Sequence, residues 1–226
     1  MEQIKAITFD LDGTLAYGAL DSEKYEKALI DYLKEIGYSG ERATLNKARQ
    51  AMLEKMRKSQ ARNIELRFDL LYSNLLFDLG LDITPERLDS IEGLYNRYYR
   101  IEVFPGVKEM LEELSGKYHL AIVANAITNV SKIALEKLDL AKYFEYIVLS
   151  RDLGVRKPDL EIFVYALRSI WVKGSEALHV GDSLVDDIQG GKNAGMKTAW
   201  IKGDEEVTNI QPDFVISKVT ELPSLF

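Results

Sequence analysis

The stretch IKAITFDLDGTL, Ile4 to Leu15, decides how the rest of the chain is read. Ile4, Ile7, Phe9 and Leu11 carry the β-branched and aromatic content of a buried parallel strand. Asp is depleted in strands and costly to bury unless it is paired or bound to a metal, yet Asp10 and Asp12 close this one. Their spacing points both toward the same side while the chain stays extended. Gly13 then lets the backbone turn, so that main-chain N–H groups can face an anion. A carboxylate pair with donors beside it suits phosphoryl chemistry.

Beyond Leu15 the period changes. Tyr25, Ala28, Leu29, Tyr32, Leu33 and Ile36 recur at helical spacing, with Asp21 or Ser22 as N-cap and Gly37 as stop. Segments 41–58, 62–79 and 86–100 continue the helical pattern, broken at Gly80 and Thr84-Pro85. This predicts an α-helical cap domain over 18–100, hinged at Gly18 and at Phe104-Pro105-Gly106, inserted into a core of residues 1–17 and 101–226. From Val107 helices are expected over 107–117, 129–138, 160–170 and 184–194. Strands are expected at His119–Ala124, Tyr146–Ser150, Ala177–Val180, Thr198–Ile201 and Phe214–Ile216. Such alternation predicts an α/β fold with a doubly wound parallel sheet, whose ligands sit at the carboxyl ends of the strands.

The remaining polar candidates fall at those ends. Asn125 follows the strand that closes on Ala124, Lys157-Pro158-Asp159 follows the next, and Gly181-Asp182-Ser183 follows Ala177–Val180. Lys157 precedes a proline, so it is biased to extended backbone and held in a loop. Asp186 and Asp187 open a helix, where capping alone gives an acid a reason to be. Asp182 has no such reason. Converging with Asp10 and Asp12, it would make a cluster that needs protonation or a bridging cation, and a hard divalent ion such as Mg²⁺ answers that need.

Taken together, Asp10/Asp12, Ala124-Asn125, Lys157 and Gly181-Asp182 with Asp186/Asp187 resemble the four motifs of the haloacid dehalogenase superfamily. The small-residue run Gly190-Gly191 with Ala194-Gly195-Met196 extends the likeness. The resemblance implies a Rossmann-like core with a helical cap inserted after the first motif, Mg²⁺ as cofactor, and a phosphatase acting on a small phosphorylated metabolite. Position by position, it implies Asp10 as nucleophile, Asp12 as general acid and base, and Lys157 as the cation that holds the phosphoryl group. Phosphate binding falls to Gly13, Thr14, Ala124, Asn125 and Lys157. The metal falls to the side chains of Asp10 and Asp182 and the backbone carbonyl of Asp12, with Asp187 preferred to Asp186 as the acid supporting them. The acid at Asp12 favours a phosphatase over a dehalogenase. Ala124 departs from the pattern, which has Ser or Thr there, so a hydroxyl donor to phosphate is missing. Two alternatives stay open: a phosphomutase of the same family, and a non-catalytic phospholigand-binding or scaffold protein.

Composition narrows the classes further. At 226 residues and 46% hydrophobic the chain can bury a full core. The absence of an N-terminal apolar region and of any run of about 18 apolar residues predicts no membrane partner and a cytoplasmic address. With zero cysteines there is no disulfide, thiolate zinc site or cysteine nucleophile. A net charge of −7 argues against nucleic acid as a partner. The one basic stretch, residues 41–67, carries a local +5 that reads either as a solvated helix face or as a screen drawing in an anionic substrate. His119 and His179 are expected in strands, Trp171 and Trp200 in packing, and most of the tyrosines before Arg100 in the cap core. Tyr17, where the chain enters the cap, is the tyrosine expected to line a substrate pocket.

Overall fold

The computed structural model of the chain describes residues 3–203 and 209–225, so residues 1, 2, 204–208 and 226 of the expected core lie outside the described residues. β1 (Ala6–Phe9) is buried throughout. The chain then runs through β2 (Ala16–Leu20) and four helices, α1 (Ser22–Glu35), α2 (Arg42–Gln60), α3 (Phe68–Asp78) and α4 (Pro85–Tyr98), and returns along β3 (Tyr99–Val103). Asp21 caps α1 by accepting from the Lys24 N–H, and Thr84 caps α4 from Arg87 N–H with Pro85 at the first helical position. Leu29, Leu33, Leu45, Leu75 and Ile91 join an apolar cluster whose buried members all come from these four helices, with Leu20 and Ile127 packed against it.

β2 and β3 pair antiparallel, with Gly18 opposite Ile101. The helix expected to run to residue 100 instead ends at Tyr98, and the ribbon begins at once. β2 (AYGAL) shows no alternation, and β3 (YRIEV) alternates over only five residues that continue directly from α4. Nor does a helix begin at residue 62. Asn63 turns into the left-handed region (φ +57°) and ends α2, and Ile64 bridges Val155 instead.

The second half alternates as expected: α5 (Val107–Ser115), β4 (His119–Ala124), α6 (Val130–Lys137), β5 (Tyr146–Leu149), the short α7 (Ser150–Leu153), α8 (Leu160–Ser169) and β6 (Ala177–Gly181). A π-helical turn (Leu184–Gln189), α9 (Gly190–Asn193), β7 (Lys197–Ile201) and β8 (Phe214–Ile216) follow. Six strands form one parallel sheet in the order β5-β4-β1-β6-β7-β8. Alternate residues serve its two faces. Ile7, Phe9 and Ile122 pack with Val107 and Leu111 on one, and Ala6, Ala121 and Val123 pack with Ile162 and Phe163 on the other. The chain winds outward from β1 on one side, then crosses back to β6 on the other. The crevice at the carboxyl end of β1 is therefore the switch point where such sheets bind ligands. Trp200 is buried as expected, but Trp171 is 94% exposed, because it sits past the end of α8 in a left-handed turn (φ +57°).

The helix after β6 approaches α8 closely enough that only glycine fits at 190: a Cβ there would lie 2.5 Å from the Phe163 ring and 3.2 Å from Pro158 Cα. Gly190→Ala is expected to lower unfolding stability by about 1–3 kcal/mol through overpacking. Urea unfolding with a reduced midpoint and unchanged slope checks it.

Candidate active site

The loops after β1, β4, β5 and β6 converge on one ammonium. Lys157 is 2% exposed and donates to Asp10 Oδ1 at 2.5 Å and to Asp187 Oδ1 at 2.6 Å. Its own loop is clamped by Asn125, whose Oδ1 accepts from Lys157 N–H at 2.9 Å while its Nδ2 donates to Asp186 at 3.0 Å and to Lys157 O. Asn125 thus holds two loops together, while Ala124 ends β4 with a buried methyl in the place where a hydroxyl was missed.

Burial pushes Asp10 up to about 7, against the pull of Lys157 and with the push of Asp187 and Asp182. Asp187 goes the other way. Its burial is outweighed by the Lys157 charge and the bond from His179, and its carboxyl lies well below the usual range. Lys157 is likewise desolvated, but the two carboxylates hold it firmly protonated. His179, fully buried on β6, has Nε2 3.2 Å from Asp187 and Nδ1 2.7 Å from Thr8 Oγ1 on β1. Desolvation lowers its pKa, so the ring is neutral; with an ionised Asp187 accepting, Nε2 carries the proton and Nδ1 accepts from Thr8. His179 is a strand residue, as expected, and it also orients an acid.

The fourth-motif turn is shaped by what it must bring close. The Asp187 carboxyl folds back over Gly181, where a Cβ would collide with it, and also accepts from Ser183 N–H at 3.0 Å. Trp200 donates to the Asp182 carbonyl at 2.8 Å. Gly13 (φ +88°) leaves room for the Asp182 carboxylate in the same way. Carboxylate oxygens of Asp10, Asp182 and Asp187 come within 4.8 Å of one another. A crowded set of hard oxygen donors, with one of its members pushed toward protonation, fits a divalent cation such as Mg²⁺. Asp186 stands outside that set, 34% exposed at its side chain and 4.0 Å from Arg156. Thr14 Oγ1 is buried with no hydrogen-bond partner among the described residues.

Asp12 meets the ribbon. Tyr99, the first residue of β3, donates to Asp12 Oδ2 at 2.9 Å, and Gly18 is paired within the ribbon with no Cβ to collide with either group. That close approach is why residue 18 is glycine. Desolvation raises Asp12, opposed by the Tyr99 bond. A cavity of about 220 Å³ opens beside this pair, lined by Asp12, Tyr99, Gln60, Glu65, Asn125 and Arg156 among others. Tyr17 does not line it, for that side chain is 61% exposed on β2. None of the eight cations of residues 41–67 lines it either. Arg49 instead pairs with Glu26, Lys58 with Glu54 and Arg67 with Asp69. The cation at the cavity is Arg156, which adjoins Lys157 in the chain but belongs to none of the motifs. Tyr99 and Glu65 carried no local signal.

A family model, the haloacid dehalogenase-like hydrolases, matches residues 7–201. The chain belongs to that family. As the second acid implies, it is a hydrolase of the phosphatase type. The glyceraldehyde 3-phosphate phosphatase of Pyrococcus furiosus is 33% identical over 232 residues, covering 100% of this chain and 92% of that one. Its counterpart from Methanopyrus kandleri is 30% identical over 228 residues, covering 97% and 95%. Among solved structures, a 2-haloacid dehalogenase from Pseudomonas syringae pv. tomato superposes with a TM-score of 0.78 at 30% identity, over 99% of this chain and 98% of that one.

Replacing Lys157 by Met leaves Asp10 and Asp187 buried without their shared cation. Unfolding stability in EDTA at pH 8 is expected to fall by about 3–5 kcal/mol. Without the lysine both carboxyls have folded-state pKa values above their unfolded ones, so the folded state gains relative stability as they protonate. The deficit measured by urea unfolding should therefore shrink from pH 8 to pH 5.

Proposed function

We propose that the chain is a Mg²⁺-dependent phosphatase that hydrolyses a small phosphorylated metabolite through an aspartyl-phosphate on Asp10. The observation that carries this reading is the Lys157 bond to the buried Asp10 carboxylate at the end of β1, with Asp12 two residues on beside the cavity. An Asp10 oxygen attacks phosphorus, the ester P–O bond breaks, and Asp12 gives its proton to the departing alkoxide. Asp12 then takes a proton from water, whose oxygen attacks the same phosphorus; inorganic phosphate leaves and the Asp10 carboxylate is restored. Asp12's raised pKa and its bond from Tyr99 suit a group that must carry a proton in one half-reaction and accept one in the other. Lys157 offsets charge on the transferring group, and the main chain after Gly13, with Thr14 Oγ1, supplies donors toward it. Asp10 and Asp182, with the Asp12 carbonyl, would hold Mg²⁺, and Asp187 would support them. The ion supplies further neutralisation of phosphoryl charge.

The cavity of about 220 Å³ favours a substrate of a few carbons, in keeping with the three-carbon phosphate named for the two archaeal relatives. Residues 18–100 act as the cap, and the ribbon and the residue 63–65 connector carry its reach toward the site.

Asp10→Asn should lower phosphate release from a panel of phosphate monoesters by about a thousandfold or more with the melting temperature nearly intact. EDTA should silence the parent and Mg²⁺ restore it. Thermal unfolding of the parent should shift upward with Mg²⁺, and less so in Asp182→Asn, since a ligand bound only by the native state stabilises it. Full turnover in Asp10→Asn, or indifference to EDTA, overturns the proposal.

Ala124 leaves one phosphate donor missing, and a hydrogen bond to a charged group is worth about 1.5–3 kcal/mol. Ala124→Ser is therefore expected to raise kcat/KM roughly ten- to a hundredfold on the best ester found. A variant no faster than the parent means that another donor already fills the role.

A further inference from the structure

Glu65 is a carboxylate with no part in the mechanism above, yet it is only 3% exposed and stands in the wall of the cavity. It comes from the connector between α2 and α3, 55 residues along the chain from Asp10. Two backbone bonds fix it there: Glu65 N–H donates to the Gly154 carbonyl and Arg156 N–H to the Asn63 carbonyl, each at 3.0 Å, around the Ile64–Val155 bridge. The partner segment is the one that continues into Lys157. Glu65 is therefore held to the same piece of backbone that positions the Lys157 ammonium on Asp10.

Its two oxygens differ. Oε2 accepts from Ser150 Oγ at 2.9 Å and faces Arg156 Nη1 at 3.5 Å. Ser150 Oγ in turn accepts from Ala126 N–H at 2.8 Å, so the motif loop after β4 is tied to the same carboxylate. Oε1 is buried and has no hydrogen-bond partner among the described residues. A buried acceptor without a donor carries a desolvation penalty that natural structures rarely leave standing without a use. Arg156 does not answer it, since its guanidinium is directed at Oε2 and toward Asp186. Among the side chains lining the cavity the cation is Arg156, and it already faces Glu65 and Asp186.

We propose that Glu65 is a specificity-determining residue whose free Oε1 accepts a hydrogen bond from a hydroxyl on the substrate's organic part. The enzyme thereby selects hydroxylated, uncharged-tail phosphate monoesters over deoxygenated ones and over those whose tail ends in a carboxylate. This rests on the phosphatase reading of the same site. A carboxylate tail meets Glu65 as a like charge in a desolvated wall, whereas a hydroxyl supplies the donor that Oε1 lacks.

The test compares kcat/KM of the Mg²⁺-loaded full chain for glycerol 1-phosphate, n-propyl phosphate, 3-phosphoglycerate and para-nitrophenyl phosphate. The parent should prefer glycerol phosphate to propyl phosphate by roughly ten- to a hundredfold, the size of one hydrogen bond to a charged acceptor. It should disfavour 3-phosphoglycerate at least as strongly. Glu65→Gln keeps an acceptor for Ser150 while removing the charge. It should bring the glycerol-to-glycerate ratio down by about tenfold or more, through KM more than through kcat. Ratios within one protein cancel differences in folded fraction, and the parent's ratios need no variant at all. If the parent hydrolyses none of the four esters, the phosphatase reading fails and this inference with it. If it hydrolyses them with ratios near one, or if Glu65→Gln leaves the ratios where they were, the phosphatase reading stands and the role of Glu65 is overturned.

Discussion

One buried ammonium shared by two buried carboxylates is the constraint on which the site depends. Lys157, Asp10 and Asp187 arise in three different loops, and their bonds at 2.5 and 2.6 Å tie the ends of β1, the loop after β5 and the turn after β6 to a common point. Such an arrangement is a poor source of stability, because desolvating three charges offsets most of the attraction among them. What it does achieve is position. The glycines at 181 and 13 exist to let acids approach, and Asn125 and His179 are spent on orienting Lys157 and Asp187. With one cation for a cluster that also includes Asp182, the site is left acidic enough to favour a further cation.

The helices between β2 and β3 are tied to this point from above by two unlike devices. The ribbon delivers the Tyr99 hydroxyl to Asp12, through a contact that tolerates only glycine at position 18. The connector after α2 pairs backbone with the segment leading into Lys157 and so sets Glu65 into the cavity wall. Both depend on main-chain hydrogen bonds, which fix distance and direction better than side-chain packing does. On α2, by contrast, Arg42 and Arg49 pair with Glu26 and Lys58 with Glu54, in surface pairs of the kind that contributes little.

Shape alone would mislead about chemistry here. The superposition with a TM-score of 0.78 is on a dehalogenase, while the full-length matches at 30% and 33% identity are phosphatases. Fold is shared across both, and the difference lies in what stands beside the nucleophile. In this chain Asp12 stands two residues after Asp10, and it is the acid that the proposed mechanism uses to protonate a leaving oxygen.

The sequence by itself determined the parallel sheet, the helical insertion and the acids and lysine at the strand ends. Each of these is written in local terms: a period of two or 3.6, a glycine after an acid, a proline after a lysine. It preferred Asp187 to Asp186 beside the metal set, and the structure has Asp187 inside the carboxylate cluster and Asp186 outside it. Only the tertiary structure decided that Tyr99 rather than Tyr17 reaches the cavity, that Asn125 clamps a loop, that Arg156 is the cavity's cation, and that Glu65 joins its wall. The reason is physical. A residue's neighbours across the crevice follow from strand order and from a backbone bridge between residues about 90 apart in the chain, and no local period encodes a contact made at that separation.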